Sequence, residues 1–325
     1  MHCSSTTIYT ASYMEDSNQT MVTFFIIKGI SSLPKLQFLI FLLVLLIYLF
    51  TLGGNMTILL LVCIDPHLHT PMYFFLANLS ILDISSSTIS LHKILEANIT
   101  GNNYVSFLCC IIQFYIFSCL ACNQLLILTA MSYDRYVAIC RPLQYPIIMN
   151  SKVCGLLAMA CWVTSFIEVI PYVALLSTFT CYKSNIINHF FCDLVPLLSL
   201  SCSDTSTLKL LSLIEGLLLL TLAPFVLTFT PYVFIISSIL RIRSNIGRRK
   251  AFYTCSSHLT VVILLYVTLV CQYLRPTTAD SLESNKLFSL FNTAAVPMLN
   301  PLIYSLKNRD VKSSLRRRLK LAKYQ

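Results

Sequence analysis

Seven long apolar runs follow one another along the chain and are separated by short polar segments. The runs cover Gln37–Ile64, Pro71–Leu95, Tyr104–Tyr133, Val153–Ser177, Leu208–Leu240, Leu259–Leu274 and Leu287–Leu306. A helix needs roughly 20 residues to cross a bilayer, and most of these runs reach that length. The pattern therefore predicts an all-α membrane protein in which seven transmembrane helices form a bundle within the lipid bilayer.

The charges between the runs predict how the bundle is oriented. Arg241–Lys250 carries five basic residues and no acidic one, and the tail after the seventh run is also basic. The segment Arg275–Lys286 instead balances two basic residues against Asp280 and Glu283. Because basic loops stay in the cytoplasm, the basic segment and the tail are predicted inside and the amino terminus outside.

The polar ends complete a division into three parts. We expect an extracellular amino-terminal tail over residues 1–35, a seven-transmembrane domain over 36–306 and a cytoplasmic basic tail over 307–325. The sequon Asn18-Gln19-Thr20 makes Asn18 a predicted glycosylation site. In the basic tail, Val311, Leu315 and Leu319 recur at every fourth position among lysines and arginines. This spacing predicts a short amphipathic helix on the inner leaflet, with a disordered basic tail as the alternative.

Composition supports a membrane protein and argues against other classes. Of the 325 residues, 56% are hydrophobic and 11% are charged, and the mean hydropathy is +0.75. The net charge of +10 lies mainly beside apolar runs, which favours contact with lipid headgroups over binding of nucleic acid. We find no nucleophile–base set, phosphate-binding loop or metal-ligand spacing, and so expect no enzyme. His67 and His69 are interpreted as residues of a solvated loop.

A few polar residues interrupt the apolar runs and are candidates for function. Asp134-Arg135-Tyr136 closes the third run; it is either a switch inside the bundle or an ion pair that reaches the membrane edge. Asp83 lies in the middle of the second run, with Asn55 of the first as its natural partner, and a purely structural role is the alternative. Glu168 and Glu215 lie near the outer ends of adjacent runs.

Several strings, in order along nearly the whole chain, carry a family resemblance. They are Gly54-Asn55, Leu68–Ser80 (LHTPMYFFLANLS), Met131–Cys140 (MSYDRYVAIC), Ile187–Asp193 (INHFFCD), Ser201–Thr205 (SCSDT), Lys250–Leu259 (KAFYTCSSHL) and Pro297–Asn308 (PMLNPLIYSLKN). The chain resembles the olfactory receptor family of rhodopsin-like G-protein-coupled receptors, in its tetrapod-type (class II) division.

The resemblance implies a function. A small volatile, mostly hydrophobic odorant would bind within the bundle and activate a stimulatory G protein, which raises cyclic AMP. The receptor would lie in the plasma membrane of olfactory sensory neuron cilia, with a possible trafficking chaperone as a further partner. A transporter or channel is the alternative from another class, although we find no internal repeat. Chemosensing in another tissue by the same type of receptor also stays open.

The resemblance also assigns roles to individual residues. The activation switch would consist of Asp134, Arg135 and Tyr136 in the third helix and Asn300, Pro301 and Tyr304 in the seventh. Asn55, Asp83 and Asn300 would form a buried polar cluster near a possible structural sodium ion at Asp83. The implied disulfides are Cys110–Cys192 and Cys181–Cys202, with Cys109 as a competing partner and free loop thiols as the alternative for the second pair.

The implied ligand site lies in the outer half of the bundle. The candidates are Gln113, Phe117, Ser118, Ala121, Cys122, Glu215, Tyr266, Leu269, Val270 and Tyr273, and ordinary packing is the alternative for each. Glu168 or Glu215 would face the pocket and bind an amine or donate a hydrogen bond, unless both are protonated or snorkelling residues between helices. Among several departures from the family pattern, Gln124 stands where a glutamate is common.

Overall fold

The structure is a computed structural model that describes residues 22–30, 34–179, 181–214, 222–273, 286–307 and 309–323. Two predicted site residues, Asn18 and Glu215, lie outside the described residues, and so does the side chain of Tyr273.

Helices make up most of the described chain. They are α1 (Pro34–Ile64), α2 (Pro71–Thr100), α3 (Phe107–Cys140), α4 (Tyr145–Ile148), α5 (Ser151–Glu168), α6 (Ile170–Ser177), α7 (Leu194–Leu200), α8 (Ser206–Leu211), α9 (Ala223–Arg241), α10 (Asn245–Tyr273), α11 (Val296–Lys307) and α12 (Arg309–Lys323). A 3-10 turn, Pro66–Leu68, follows α1, and a π-helical turn, Phe291–Ala295, precedes α11. The strands are β1 (Phe24–Ile27), β2 (Tyr104–Ser106) and β3 (Ile186–Ile187).

The helices form the predicted seven-helix bundle. Its spans are α1, α2, α3, α5 with α6, α9, α10, and the helix that ends in α11. Six of these are long and apolar enough to cross a bilayer, and in α10 the apolar stretch is the shorter Cys255–Cys271. That stretch is short because the inner end of α10 carries basic residues.

Local sequence signals explain where several spans begin and break. Pro71 occupies the first turn of α2, where the missing N–H is not needed. Asn150 caps α5, since its Oδ1 accepts a hydrogen bond from the Val153 backbone N–H at 3.0 Å. The fourth span is interrupted at Val169, two residues before Pro171, and α6 continues it. Gly101 ends α2 with a φ of 71°.

A small sheet at the outer end corrects the prediction for the amino-terminal segment. The strand β1 pairs antiparallel with β2 and parallel with β3, and its Phe25 and Ile27 are buried. Residues 1–35 were treated as a polar tail, and Tyr104 was placed in the third helix. The prediction missed the strands because their partners lie far apart in the sequence and each strand has only two to four residues.

The first span approaches the seventh closely at one of its two adjacent glycines. A Cβ atom added to Gly54 would lie 2.8 Å from Cγ of Pro301, whereas one added to Gly53 would meet no atom within 4 Å. Only Gly54 therefore serves the close helix contact that the glycine pair suggested. This contact places α1 directly against the proline of α11.

The tail forms the predicted amphipathic helix, α12, which packs against the first inner loop. Arg317 donates a hydrogen bond to Asp65 at 2.7 Å, and Arg318 donates to the carbonyl of Ile64 at 2.7 Å. The neighbouring hydroxyl of Ser314, together with the contacts from His67 and Arg317, holds the pKa of Asp65 well below its usual range. Asp65 is therefore ionised at neutral pH and can pair fully with Arg317.

The face of α12 that contacts the protein is distinct from the apolar face that was predicted to lie on the inner leaflet, and the lipid contact stays a prediction. Val311 and Ser314 are buried, while Leu315 is exposed. The side chain of Leu319 lies outside the described residues. A spacing of four residues identified an amphipathic helix, but contact with the protein follows positions 311 and 314, which the apolar pattern alone did not show.

Candidate functional site

A buried polar cluster joins three spans in the middle of the bundle. Nδ2 of Asn300 donates to both carboxylate oxygens of Asp83, at 3.1 and 2.8 Å, and Nε2 of Gln124 donates to Oδ1 at 3.2 Å. All three side chains are buried. Asn55 does not bond to Asp83, because its amide donates to the carbonyls of Thr51 and Pro297 at 3.0 and 3.1 Å. Two of the three predicted members thus meet, and Gln124 takes the remaining place.

The possible sodium ion does not fit this cluster well. Hard cations are bound by oxygen atoms, whereas Gln124 and Asn300 present N–H groups to Asp83. The carboxylate already accepts three hydrogen bonds, so an adjacent cation would have to displace these donors.

The Asp134-Arg135-Tyr136 triplet lies inside the bundle at its inner end. Nε and Nη2 of Arg135 donate to Oδ2 of Asp134, at 3.0 and 2.6 Å, and the ion pair is enclosed, with 11% of the Arg135 side chain exposed. The hydroxyl of Tyr145, in α4, donates to Oδ1 of the same carboxylate at 2.9 Å. The tyrosine of the triplet, Tyr136, packs against Phe234 of α9. This placement is the one that a switch requires, although the role itself stays a prediction.

The inner halves of α9, α10 and α11 bring further polar groups towards the triplet. The hydroxyl of Tyr232 and Nδ1 of His258 form a short hydrogen bond between α9 and α10. Tyr304 is buried in α11, three residues after Pro301. Sequence reasoning nominated Tyr304 but overlooked Tyr232 and His258, although His258 belongs to the KAFYTCSSHL string. A histidine in an apolar run was the signal that could have identified this pair.

Two bridges fix the loop that covers the outer end of the bundle. Cys110 pairs with Cys192, and Cys181 pairs with Cys202, with Cα–Cα distances of 5.4 Å in both. Both predicted pairings are present, and Cys110 rather than Cys109 bonds to Cys192. The first bridge joins the start of α3 to the loop, so the loop cannot move away from the outer end of the third span.

Gln113 connects this loop to two spans. Its Nε2 donates to the carbonyl of Ile89 in α2 at 2.9 Å, and its Oε1 accepts from the backbone N–H of Cys192 at 3.1 Å. One turn further inward, Phe117 packs against Phe191 of the loop with ring centroids 4.8 Å apart. The loop therefore rests on the same face of α3 that was predicted to contact a ligand. Gln113 thus links α3 to α2 and to the loop, and a ligand contact by Gln113 stays a prediction.

The third-helix candidates continue inward from this loop. Ser118 and Ala121 are half-buried, and Cys122 is buried. Sγ of Cys122 donates a hydrogen bond at 3.1 Å to Oε2 of Glu168, which is the last residue of α5. Two residues that the sequence singled out separately are therefore in contact.

The sixth-helix candidates are placed on two different faces. Tyr266 is buried against the rings of Phe225 and Phe229 in α9, and Leu269 is half-buried one turn later. Val270 is 43% exposed and lies on the strip of α10 that also exposes Val267. A ligand contact by Tyr266 or Leu269 agrees with these positions better than one by Val270, and all three stay predictions.

A polar contact between the sixth and seventh spans was missed. The hydroxyl of Thr268, which donates to the carbonyl of Leu265 at 2.8 Å, also lies 3.3 Å from Oδ1 of Asn292, within the π-helical turn before α11. Such turns are rare and often occur at functional sites. The sequence signal was an asparagine in an apolar run, at about the depth of Leu269.

Comparison with known proteins agrees with this architecture. Residues 44–321 match the family model described as "Olfactory receptor". The chain is 44% identical to human "Olfactory receptor 6C3" over 301 residues, which cover 92% of this chain and 96% of that protein. It is 44% identical to mouse "Olfactory receptor 5G9" over 311 residues, covering 95% and 98%. The fold is similar to that of squid rhodopsin, with a TM-score of 0.66, 16% identity and 91% coverage of each chain. The chain belongs to the olfactory receptor family.

Proposed function

We propose that this receptor binds small volatile odorants in the outer half of its bundle and activates a stimulatory G protein, which raises cyclic AMP. Family membership makes the chain a multi-pass membrane receptor and not an enzyme. The observation that carries the proposal is the arrangement along α3, which has a covered, largely apolar face at its outer end and an enclosed Asp134–Arg135 pair at its inner end.

The outer end supports a ligand site for small hydrophobic molecules. Phe117 and Phe191 close the α3 face from above, and Ser118 and Ala121 are only half-buried beneath them. Pockets for small molecules are mostly apolar and contain a few polar groups that orient the ligand. The Cys122–Glu168 contact supplies such a group, since a thiol is a weak donor and leaves the carboxylate able to accept stronger hydrogen bonds.

We therefore extend the proposal to the class of ligand. A carboxylic group next to Cys122 favours an odorant that carries an amine, or, when protonated, one that accepts a hydrogen bond. Glu168 is the residue to test first, because its contact with the α3 face is described. The alternative is that Glu168 serves only to join the third and fourth spans.

The inner end supports contact with a G protein. Asp134 holds Arg135 and accepts from Tyr145, so opening of the inner end must exchange these contacts for others. Next to this site, Leu143 is 93% exposed and Ile147 is 75% exposed. Exposed apolar side chains beside a buried ion pair are suited to docking of a protein partner on the cytoplasmic side.

The test is cyclic AMP in cells that express the receptor with a stimulatory G protein, against a panel that pairs each alkylamine with the alcohol of the same carbon skeleton. We expect a response to some odorant and none in Arg135→Ala at equal surface expression. Glu168→Gln should reduce the response to amines by about tenfold, which corresponds to roughly one charge-assisted hydrogen bond, and leave alcohols unchanged.

Each outcome has a separate meaning. If Glu168→Gln leaves the response to both members of every amine–alcohol pair unchanged, Glu168 does not bind an amine. The remaining parts of the proposed function would be unaffected. A response that survives Arg135→Ala would contradict the switch. Odorants that bind the purified receptor without raising cyclic AMP would contradict the stimulatory coupling.

The cellular setting is also a proposal. We infer that the receptor acts in the plasma membrane of olfactory sensory neuron cilia, with glycosylation at Asn18 and help from a trafficking chaperone. Detection of the protein in another chemosensory tissue, and not in olfactory epithelium, would favour the non-olfactory alternative.

A further inference from the structure

We propose that the amides of Gln124 and Asn300 take the place of a sodium ion at Asp83, so that this receptor neither needs nor responds to sodium. In this arrangement Asp83 is held by a three-helix amide clasp, defined here as Asp83 of α2, Gln124 of α3 and Asn300 of the seventh span.

The clasp satisfies the carboxylate from two sides. Gln124 and Asn300 together contribute three hydrogen bonds of 2.8 to 3.2 Å to the two oxygens of Asp83. None of the three side chains is more than 9% exposed. A buried carboxylate must be paired or hydrogen-bonded, and N–H groups of amides meet this requirement without a cation.

Beside the carboxylate, the helix of Asp83 offers a cation only a few neutral oxygens: the hydroxyl of Ser80, one turn earlier, is buried with no hydrogen-bond partner in the described chain, and those of three later serines are engaged as donors. The hydroxyl of Ser86 donates to the backbone carbonyl of Asp83, that of Ser87 to the carbonyl of Thr293, and that of Ser90 to the carbonyl of Ser86. Hard cations take about six or more oxygen ligands when the protein supplies the shell, as calcium sites show. In the part of the clasp that the structure describes, the Asp83 carboxylate is the one charged group that could act as an oxygen ligand for a cation.

Gln124 is the residue that decides between an amide clasp and a cation site. A glutamate at this position would bring a second carboxylate to the one of Asp83, at the distance now spanned by a 3.2 Å hydrogen bond. Two carboxylates that share a site repel each other and require a proton or a cation between them. With glutamine, the same position contributes a donor, and this requirement disappears.

The test compares melting temperatures of the purified full-length receptor in sodium chloride and in choline chloride at equal ionic strength. We expect the wild type to melt at the same temperature in both salts. Gln124→Glu should create a site and gain about 2–4 °C in sodium relative to choline. No odorant is needed, so the result is independent of the proposed function.

Two further variants keep the test decisive. If Gln124→Glu does not fold, Asn300→Asp places the second carboxylate on the seventh span and should show the same gain in sodium. Gln124→Leu removes one donor and should lower the melting temperature equally in both salts. A wild type that melts higher in sodium than in choline overturns the proposal, and a carboxylate variant that folds but ignores sodium overturns the role of Gln124.

Discussion

The inner and outer halves of the bundle are held together in different ways. In the inner half, taken here from the mid-membrane cluster to the cytoplasmic end, polar side chains of one span bond to side chains of another, as Asp83 does with Asn300 and Tyr232 with His258. In the outer half, direct contacts between spans, such as Cys122 with Glu168, are accompanied by contacts to the loops. Gln113 accepts from the Cys192 N–H, and Lys286 donates to Asn188 at 2.9 Å.

This difference suggests that the two ends of each span have different roles in the proposed conformational change. Contacts between side chains of different spans can be exchanged when helices move, which is what a two-state bundle needs. Contacts to loop backbone, reinforced by the Cys110–Cys192 bridge, instead fix a cover over the proposed ligand face of α3. We therefore infer that the inner half is suited to rearrangement and the outer half to keeping its shape.

The largest effect is expected where α1 touches the seventh span. Gly54→Ala places a methyl group 2.8 Å from Cγ of Pro301, and a proline ring cannot rotate away. We expect a loss of about 2–3 kcal/mol, in the upper part of the range for overpacking, and little receptor at the cell surface. Surface staining and the melting temperature of the purified protein measure this effect.

Gly53→Ala is the matched control, since a Cβ there meets no atom within 4 Å. Both variants make the same chemical change on the same helix, one position apart. Equal losses from the two variants would show that an effect common to both positions, such as a changed contact with lipid, and not the approach to Pro301, limits this part of the bundle.

The sequence predicted much of the inner half because its elements are local strings. The apolar runs predicted the spans, and the Asp134-Arg135-Tyr136 triplet predicted an ion pair at the inner end. The position of Asp83 in the middle of an apolar run identified it as a member of a buried cluster. The choice between Gly53 and Gly54 needed the structure, because adjacent residues of a helix face different neighbours. The same reason explains why Asn55 was assigned to the wrong partner.

The outer half was less predictable, because its contacts depend on segments that are distant in the sequence. The pairing of β1 with β2 and β3 joins residues about 80 and 160 positions apart, and no local pattern encodes it. Helical spacing placed Gln113 on the face of α3 that lies under the cysteine loop. Spacing could not show that its amide is already bonded to Ile89 and Cys192.

A second, smaller effect is expected from Gln113→Leu, which tests whether the cover is braced as described. The change leaves the Cys192 N–H without its acceptor and the Ile89 carbonyl without its additional donor. We expect a loss of about 1–2 kcal/mol, in the lower part of the range because the contact to the loop is only part-buried. The melting temperature without ligand measures it.

Ser118→Ala provides the control on the same half of α3, since the Ser118 hydroxyl makes no hydrogen bond to another residue of the described chain. It should leave the melting temperature unchanged. If Gln113→Leu instead leaves stability intact and alters only odorant responses, Gln113 is a ligand contact and the outer half is held mainly by its disulfides.

The smallest effect is expected from Tyr145→Phe, and it concerns the equilibrium between the two states more than stability. The change removes the hydroxyl that donates to Oδ1 of Asp134 and leaves the Asp134–Arg135 pair in place. A hydrogen bond from this half-buried residue contributes about 1 kcal/mol, so the active state should become roughly fivefold more populated. Raised cyclic AMP without odorant, at equal surface expression, is the expected readout.

Tyr133→Phe removes the same hydroxyl from a side chain that is 43% exposed and packs on Tyr136, and it should leave the basal signal unchanged. A basal signal that rises only with Tyr145→Phe would show that α4 helps to hold Asp134, and through it Arg135, in the inactive arrangement. If neither variant changes the signal, α4 has no part in the switch, and the contacts that can be exchanged at the inner end are confined to the spans themselves.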